Sequence, residues 1–212
     1  VIKDNDIIFE SSDIDAIVIA TPAETHYDLV VNGLKKGKHV LVEKPMALSV
    51  NEVAKIERLS KKNNLVAMVG HTFLYNSAVR YVKELIASGE IGKIRYIYSQ
   101  RLNLGRIRND VDALWNLAPH DLSIIQYWLD DIAPVSVSKK SMAYVQEGID
   151  DVAFLTVLYP DEIIANIHVS WLDPNKVRKL TVVGSKKMVV YDDISEDKIT
   201  IFDKGIDPIA KI

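Results

Sequence analysis

The sequence predicts two architectures in succession, α/β and then α+β: a parallel sheet wrapped by helices, followed by a large open sheet that is mainly antiparallel. Three observations carry this. Short apolar runs at 15–20, 39–42 and 65–69 alternate with helical patterns, and such alternation builds a parallel sheet. The alternation stops at Gly70. After Pro134 the chain reads as consecutive strands joined by short turns such as Tyr159-Pro160-Asp161 and Gly184-Ser185, which argues antiparallel pairing. The two patterns meet near 70–76, giving units of 1–72 and 73–212.

Residues 1–12 show no clear period and carry no assignment. The runs at 15–20, 39–42 and 65–69 lack polar alternation, which suits strands buried on both faces of a parallel sheet. Thr25 and Asp28 have capping-box-like spacing for a helix through 36, with Leu29, Val30 and Leu34 on one face and Gly37 as its stop. Ser49 with Glu52 makes a full capping box, and Val53, Ile56 and Leu59 give a helical stripe to about 63. Asn76 or Ser77 caps a helix with the stripe Val79, Val82, Leu85 and Ile86, ending at Ser88-Gly89. Residues 94–104 read as a long strand rich in Tyr and Ile, and 118–129 as a helix with Pro119 in its first turn. Strands are then expected at 135–144, 151–158, 163–170, 179–183, 188–191 and 199–202.

A chain of 212 residues that is 48% hydrophobic and 26% charged can bury a full core as one large or two small domains. A net charge of -3 without long blocks of like charge leaves no footprint for nucleic acid. The absence of cysteine excludes disulfides, thiolate metal sites and a thiol nucleophile, and fits a reducing cytoplasm, the expected location. The apolar runs are too short to span a bilayer, so no membrane partner is expected. The five histidines lack His-x-x-His or Glu-rich ligand spacing, so no catalytic metal is expected.

The strand at 39–42 runs directly into Glu43, Lys44 and Pro45. An ionisable pair at the carboxyl end of a buried parallel strand lies at the rim where open α/β sheets bind ligands. A residue before proline is kept out of the helical region, and the X-Pro bond can be cis, so Lys44 is held extended. The run at 15–20 likewise ends in Thr21-Pro22 and leads into a helix holding His26. Two successive strands thus finish in polar turns fixed by proline.

On these residues the chain resembles the glucose-fructose oxidoreductase / inositol dehydrogenase / MocA family of NAD(P)-dependent oxidoreductases. The likeness rests on Ala20-Thr21-Pro22 with His26, Gly37-Lys38-His39-Val40, Glu43-Lys44-Pro45, Gly70-His71 and Ala118-Pro119-His120-Asp121, in that order, and spans about 15–184. It implies a Rossmann-type sheet in 1–72, and in 73–212 a domain that binds substrate and joins subunits into a homo-dimer or homo-tetramer through its sheet. It also implies NAD or NADP as cofactor, contacted by Ala20, Thr21, Pro22, His26, Glu43, Lys44 and Pro45. The implied substrate is a sugar, sugar acid or nucleotide-sugar, oxidised or reduced at a secondary hydroxyl or ketone.

The nine glycines include no Gly-x-Gly, so the phosphate-cradling turn after the first strand of a dinucleotide fold is missing. Either no dinucleotide binds, or the chain lacks its own beginning. The resemblance favours the second, with the first βαβ unit expected before Val1 and the second domain continuing past Ile212.

Oxidising a sugar hydroxyl needs a base for the O–H proton while the C–H hydrogen leaves as hydride. An ammonium beside an oxidised nicotinamide has its pKa lowered by desolvation and like charge, which suits Lys44 to the task; the blander reading pairs it with Glu43 at a surface. In a helix beginning near Ala118, His120 shares a stripe with Ile124 and Trp128, where a lone histidine is usually a hydrogen-bonded core residue. The resemblance instead sets His120 on the histidine of the family's catalytic Asp-x-x-x-His. Asn116 falls on the aspartate, and an amide orients an imidazole without stabilising its charged form.

Arg101, Arg106 and Arg108 interleave with Asn103 ahead of Trp115. A cluster for a carboxylate or phosphate, with a sugar stacked on Trp115, competes there with a solvated loop. His71 and Tyr75 near the junction are further candidate substrate contacts. Two other outcomes stay open: a reductase of a non-sugar carbonyl, and a catalytically silent sugar-sensing or assembly protein, which Asn116 and the missing phosphate turn favour.

Overall fold

The computed structural model describes residues 5–105 and 107–205, in two units, Val1–His71 and Thr72–Ile212. In the first unit β1 (Ala16–Ile19), β2 (His39–Val42) and β3 (Ala67–Val69) form a parallel sheet in that order. Helices α2 (Ala23–Lys35) and α3 (Val50–Asn63) pack with it. Val30, Leu34 and Val42 are fully buried, and each such aliphatic side chain contributes about 1.5–3 kcal/mol. A Cβ on Gly33 would come within 2.7 Å of Ile17 Cδ1, so glycine is what allows α2 to lie close on β1.

Three expectations are corrected in this unit, and one unassigned stretch gains an element. Burial alternates along β1 and β2: Ile17, Ile19, Val40 and Val42 are buried while Val18 is 73% exposed, because the helices cover one face of the sheet. Helix α2 begins two residues ahead of Thr25, with Pro22 at its N-cap and no side-chain cap. The Thr25 hydroxyl instead donates back to the Pro22 carbonyl at 2.8 Å, so the spacing to Asp28 makes no capping box. Residues 5–10, which the pattern left unassigned, form α1 (Asn5–Glu10) with Phe9 in the core. Finally, β3 is two residues shorter at its start than expected.

Ser49 caps α3 by accepting from the Glu52 N–H, and Glu52 reaches back to the Leu48 N–H, one residue before the usual partner. Gly37, with φ of 77°, ends α2. Lys38 is almost fully buried, its Nζ donating to the carbonyls of Ser11 and Ile14, which ties the approach to β1 to the start of β2.

The second unit opens with a 3-10 turn (Thr72–Tyr75) and α4 (Ser77–Ala87), capped by Asn76 Oδ1 accepting from the Ala78 N–H at 2.9 Å. The strands are β4 (Ile94–Leu104), β5 (Ser136–Met142), β6 (Val152–Leu158), β7 (Ile164–Ser170), β8 (Leu172–Gly184), β9 (Met188–Asp192) and β10 (Ile199–Phe202). They form one sheet in the order β10-β9-β8-β4-β7-β6-β5. Every neighbouring pair is antiparallel except β4 with β7, whose parallel register runs from Tyr96↔Ile164 to Leu102↔Ser170.

Helix α5 spans Ala113–Trp128, not 118–129. Asp112 caps it by accepting from the Trp115 N–H at 2.7 Å, so Pro119 sits inside the helix and not in its first turn. Asn116 and His120 consequently occupy one helix, a turn apart. Trp128, 1% exposed, donates from Nε1 to the Val79 carbonyl at 2.9 Å and joins α5 to α4. Strand β8 is much longer than the expected 179–183, and β5 is shorter than 135–144.

The alternation in β6 gives Ala153, Leu155 and Val157 to the core, while Phe154 is 52% exposed on the opposite face. There Phe154 stacks on His168 at 4.2 Å and Tyr96 on Tyr98 at 6.2 Å. This face also carries Ile164 and the hydrogen-bonded pair Thr156 and Asn166. Among the described residues no helix is long and apolar enough to cross a membrane.

Candidate functional site

In the first unit the three parallel strands end side by side, so the residues after them share a rim. Ala20, Thr21 and Pro22 follow β1; Glu43, Lys44 and Pro45 follow β2; His71 follows β3 by two residues. The Glu43 N–H donates to the Ile19 carbonyl at 2.9 Å, and Gly70 to that of Val42 at 2.8 Å, which continues the ladder past the strand ends. The Lys44–Pro45 peptide is cis.

His26, in the first turns of α2, is 1% exposed. Its Nδ1 lies 2.7 Å from the Pro45 carbonyl oxygen and its Nε2 2.8 Å from that of Thr21. One buried ring therefore fastens the turn after β1 to the turn after β2, and Lys44 leaves the backbone beside that fastening. Burial pushes the His71 imidazole below its ordinary range, the Glu43 carboxylate opposes this and the Lys44 ammonium adds to it. The charges of Glu43 and Lys44 thus both act on the His71 ring.

In the second unit Arg101 and Asn103 share one face of β4. Arg101 is 4% exposed, its Nη2 2.6 Å and its Nε 2.9 Å from Asp121 Oδ1, with Ser99 Oγ at 3.3 Å from Oδ2. Full burial raises the Asp121 carboxyl above its usual range, and Arg101 and Ser99 pull it back. Directly opposite Arg101 on β8 is Arg178, 3.4 Å from Asp193. Asp193 in turn accepts from the Tyr191 hydroxyl at 2.9 Å; burial and this carboxylate push that phenol up.

Arg101, Asn103 and Arg178 border a cavity of about 230 Å³, lined also by Arg108, Asn116 and Lys176, with the buried Trp171 in its wall. Of the expected arginines, Arg106 lies outside the described residues. Arg108 reaches the cavity and pairs with Asp110. Trp115, 41% exposed, is not in the lining; the aromatic wall is Trp171. Tyr75 is 60% exposed with the Arg80 guanidinium 5.3 Å from its ring centre.

His120 sits edge-on to Phe73, ring centres 5.1 Å apart, and the Arg101 guanidinium lies 4.8 Å over the same ring. Phe73 thus packs on both a cavity arginine and the candidate histidine, and sequence reasoning did not single it out. Nor did it find Lys176 and Arg178. Their signal was available: 176 and 178 keep the alternation of the buried Leu180 and Val182, so the same face of β8 continues into cations. No group of three His, Cys, Asp or Glu able to hold a metal occurs among the described residues.

The chain is 27% identical over 171 residues to 2,7-anhydro-N-acetylneuraminate hydratase of Mediterraneibacter gnavus, covering 74% of this chain and 46% of that protein. It is 24% identical over 202 residues to UDP-N-acetylglucosamine 3-dehydrogenase of Acidithiobacillus ferrooxidans, covering 95% and 62%. Among solved structures, a protein from Magnetospirillum magnetotacticum MS-1 assigned provisionally to the oxidoreductases superposes with a TM-score of 0.87 at 29% identity, covering 99% of this chain and 68% of that one. The chain spans about half the length of the curated relatives it matches first. Residues 1–71 match the model described as oxidoreductase family, NAD-binding Rossmann fold, and residues 79–190, more than half the chain, match the GFO/IDH/MocA C-terminal domain. The chain belongs to the GFO/IDH/MocA family of oxidoreductases.

Proposed function

We propose that the protein carrying this chain is an NAD(P)-dependent oxidoreductase that interconverts a secondary hydroxyl and a ketone on a sugar derivative. The observation that carries the reading is the pair of strand-end turns spanned by the buried His26 ring, with Lys44 in the second of them, next to Pro45. A ligand at the rim of an open parallel sheet meets the residues after the strands first.

Thr21, Pro22, Lys44 and Pro45 fit the nicotinamide end of the cofactor, being short, polar or rigid groups at that rim; the 212 residues contain no Gly-x-Gly turn for its pyrophosphate. When bound, the nicotinamide supplies the acceptance or return of a hydride. Lys44 holds or takes the hydroxyl proton at Nζ. His120 provides a second proton carrier at its imidazole, and Asn116, one helical turn before it, orients the ring without adding charge. His26 is a positioning residue. The cationic cavity supports an acidic or nucleotide-linked sugar, and the two relatives named above act, by their names, on a sugar carboxylate and on a nucleotide diphosphate sugar. The open face of the seven-stranded sheet is proposed to pair with a second copy.

Reduction of NAD or NADP is followed spectrophotometrically with a panel of sugars, sugar acids and nucleotide-sugars. Turnover with at least one, abolished in Lys44→Ala with folding intact, is the expected result; turnover unchanged in that variant overturns the role of Lys44. Asn116 favours one other reading, a binding protein without catalysis. Tight binding of a sugar with no turnover by any panel member would establish it.

A further inference from the structure

We infer that the cavity of the second unit reads a single carboxylate carried on the sugar itself, and that Lys176 is the residue that engages it. This rests on the proposed reading of the chain as one that handles sugar derivatives, and it narrows the substrate to a sugar acid.

Among the described residues four cations reach the cavity, and three already face a carboxylate. Arg101 is bonded to Asp121, Arg108 to Asp110, and Arg178 stands 3.4 Å from Asp193. Among the described residues Lys176 makes no ion pair. Counted over the described residues, the lining therefore carries an excess of one positive charge, and its source is an exposed lysine at the open end of the face that begins with the buried Leu180 and Val182. A lone ammonium against otherwise neutralised arginines attracts a single negative charge. A diphosphate would bring at least one more negative charge than the lining balances, and uncompensated charge in a partly dry cavity is costly.

Size points the same way. Sites for drug-sized ligands occupy roughly 300–1,000 Å³, and this cavity holds about 230 Å³. It suits one sugar ring and not a whole nucleotide-sugar. The remaining lining matches that occupant: Asn103 and Asn116 offer amide donors and acceptors for ring hydroxyls, and Trp171 offers an apolar wall.

The test is calorimetric binding to the protein that carries this chain. D-glucuronate and D-galacturonate are compared with glucose and galactose, N-acetylneuraminate with its methyl ester, and UDP is measured alongside. At least one acid is expected to bind ten- to a hundredfold more tightly than its neutral counterpart. Lys176→Gln should erase that preference, Lys176→Arg should restore most of it, and UDP binding should be indifferent to both. Because Lys176 is exposed, unchanged thermal unfolding of Lys176→Gln checks that the fold is intact. An acid preference absent from the parent protein, or surviving in Lys176→Gln, overturns the inference; so does a loss confined to UDP. The readout is binding, so it separates from the activity reading: a Lys176-dependent acid preference without hydride transfer would sink the proposed oxidoreductase and leave the carboxylate site standing.

Discussion

Arg101 lies directly across the β4–β8 ladder from Arg178. Like charges placed opposite one another on a sheet repel, and here each guanidinium is turned onto its own carboxylate, Asp121 for one and Asp193 for the other. Asp121 is fully buried, so its loss leaves Arg101 charged and unmatched. Asp121→Asn should lower stability by about 3–5 kcal/mol, measured by urea unfolding. A loss below about 1 kcal/mol would show that the pair is dispensable.

His26→Ala removes the ring that spans the turns after β1 and β2. Stability should fall by about 1–3 kcal/mol, since a buried carbonyl loses its donor. In the whole protein the KM for NAD or NADP should rise with a smaller change in kcat, because the variant disturbs the seat and not the proton carriers. A fall in kcat alone would place His26 in the chemistry.

The His71 imidazole is held below its ordinary pKa by burial. A depressed group binds fewer protons folded than unfolded, so stability rises with pH across that interval. Its contribution is present above about 6.5, the unfolded value, and is lost as pH falls toward the folded one. Unfolding free energy measured from pH 7 to 5 should decline, and His71→Asn should flatten the decline. An identical slope in the variant would assign it to other groups.

Asn116 and His120 sharing α5 gives the next experiment its geometry. Asn116→Asp places an anion one turn from the imidazole, which favours the charged ring and should move the acidic limb of kcat/KM to higher pH. His120→Ala should cost about 10²–10⁴-fold in kcat. A pH profile that ignores both changes would leave Lys44 as the proton carrier.

Phe154→Glu sets a charge on the half-exposed apolar face of the large sheet. If copies of the chain associate there, light scattering at micromolar concentration should show the parent as an oligomer and the variant as a smaller species. A monomeric parent would remove that face from the assembly.

Much of this was written locally. The end of β2 at Val42, the end of β1 to within one residue, the cap at Ser49, Asn76 as one of two candidate caps and the full extent of β4 follow from runs and caps a few residues long. What was hidden depended on distance or on a misleading proline. Pro119 suggested a helix start, whereas the true cap, Asp112, lay in a polar stretch that resembled loop. Pro174 broke the pattern of β8, so Lys176 and Arg178 seemed to precede the strand that contains them. The pairing of Arg101 with Asp121 joins residues twenty apart in sequence, and only the packing of α5 on β4 brings them together. Alternation within β1 was masked because Ile17, Val18 and Ile19 are all apolar, although only the first and third are covered.

The central strand β4 carries two unrelated surfaces on its two sides. Tyr96 and Tyr98 face outward, Ser99 and Arg101 face the cavity side, and the pleat interleaves them. A substitution edits one side at a time. A single-residue insertion or deletion within 96–101 exchanges the sides downstream of it, driving the arginine into the open and a tyrosine against α5. The strand thus behaves as a reading frame: point changes can tune ligand choice or subunit pairing separately, but changes in length damage both together. Length variation during divergence is therefore expected at the turns around Gly148 and Asp161, where left-handed backbone marks connections between strands, and not in β4.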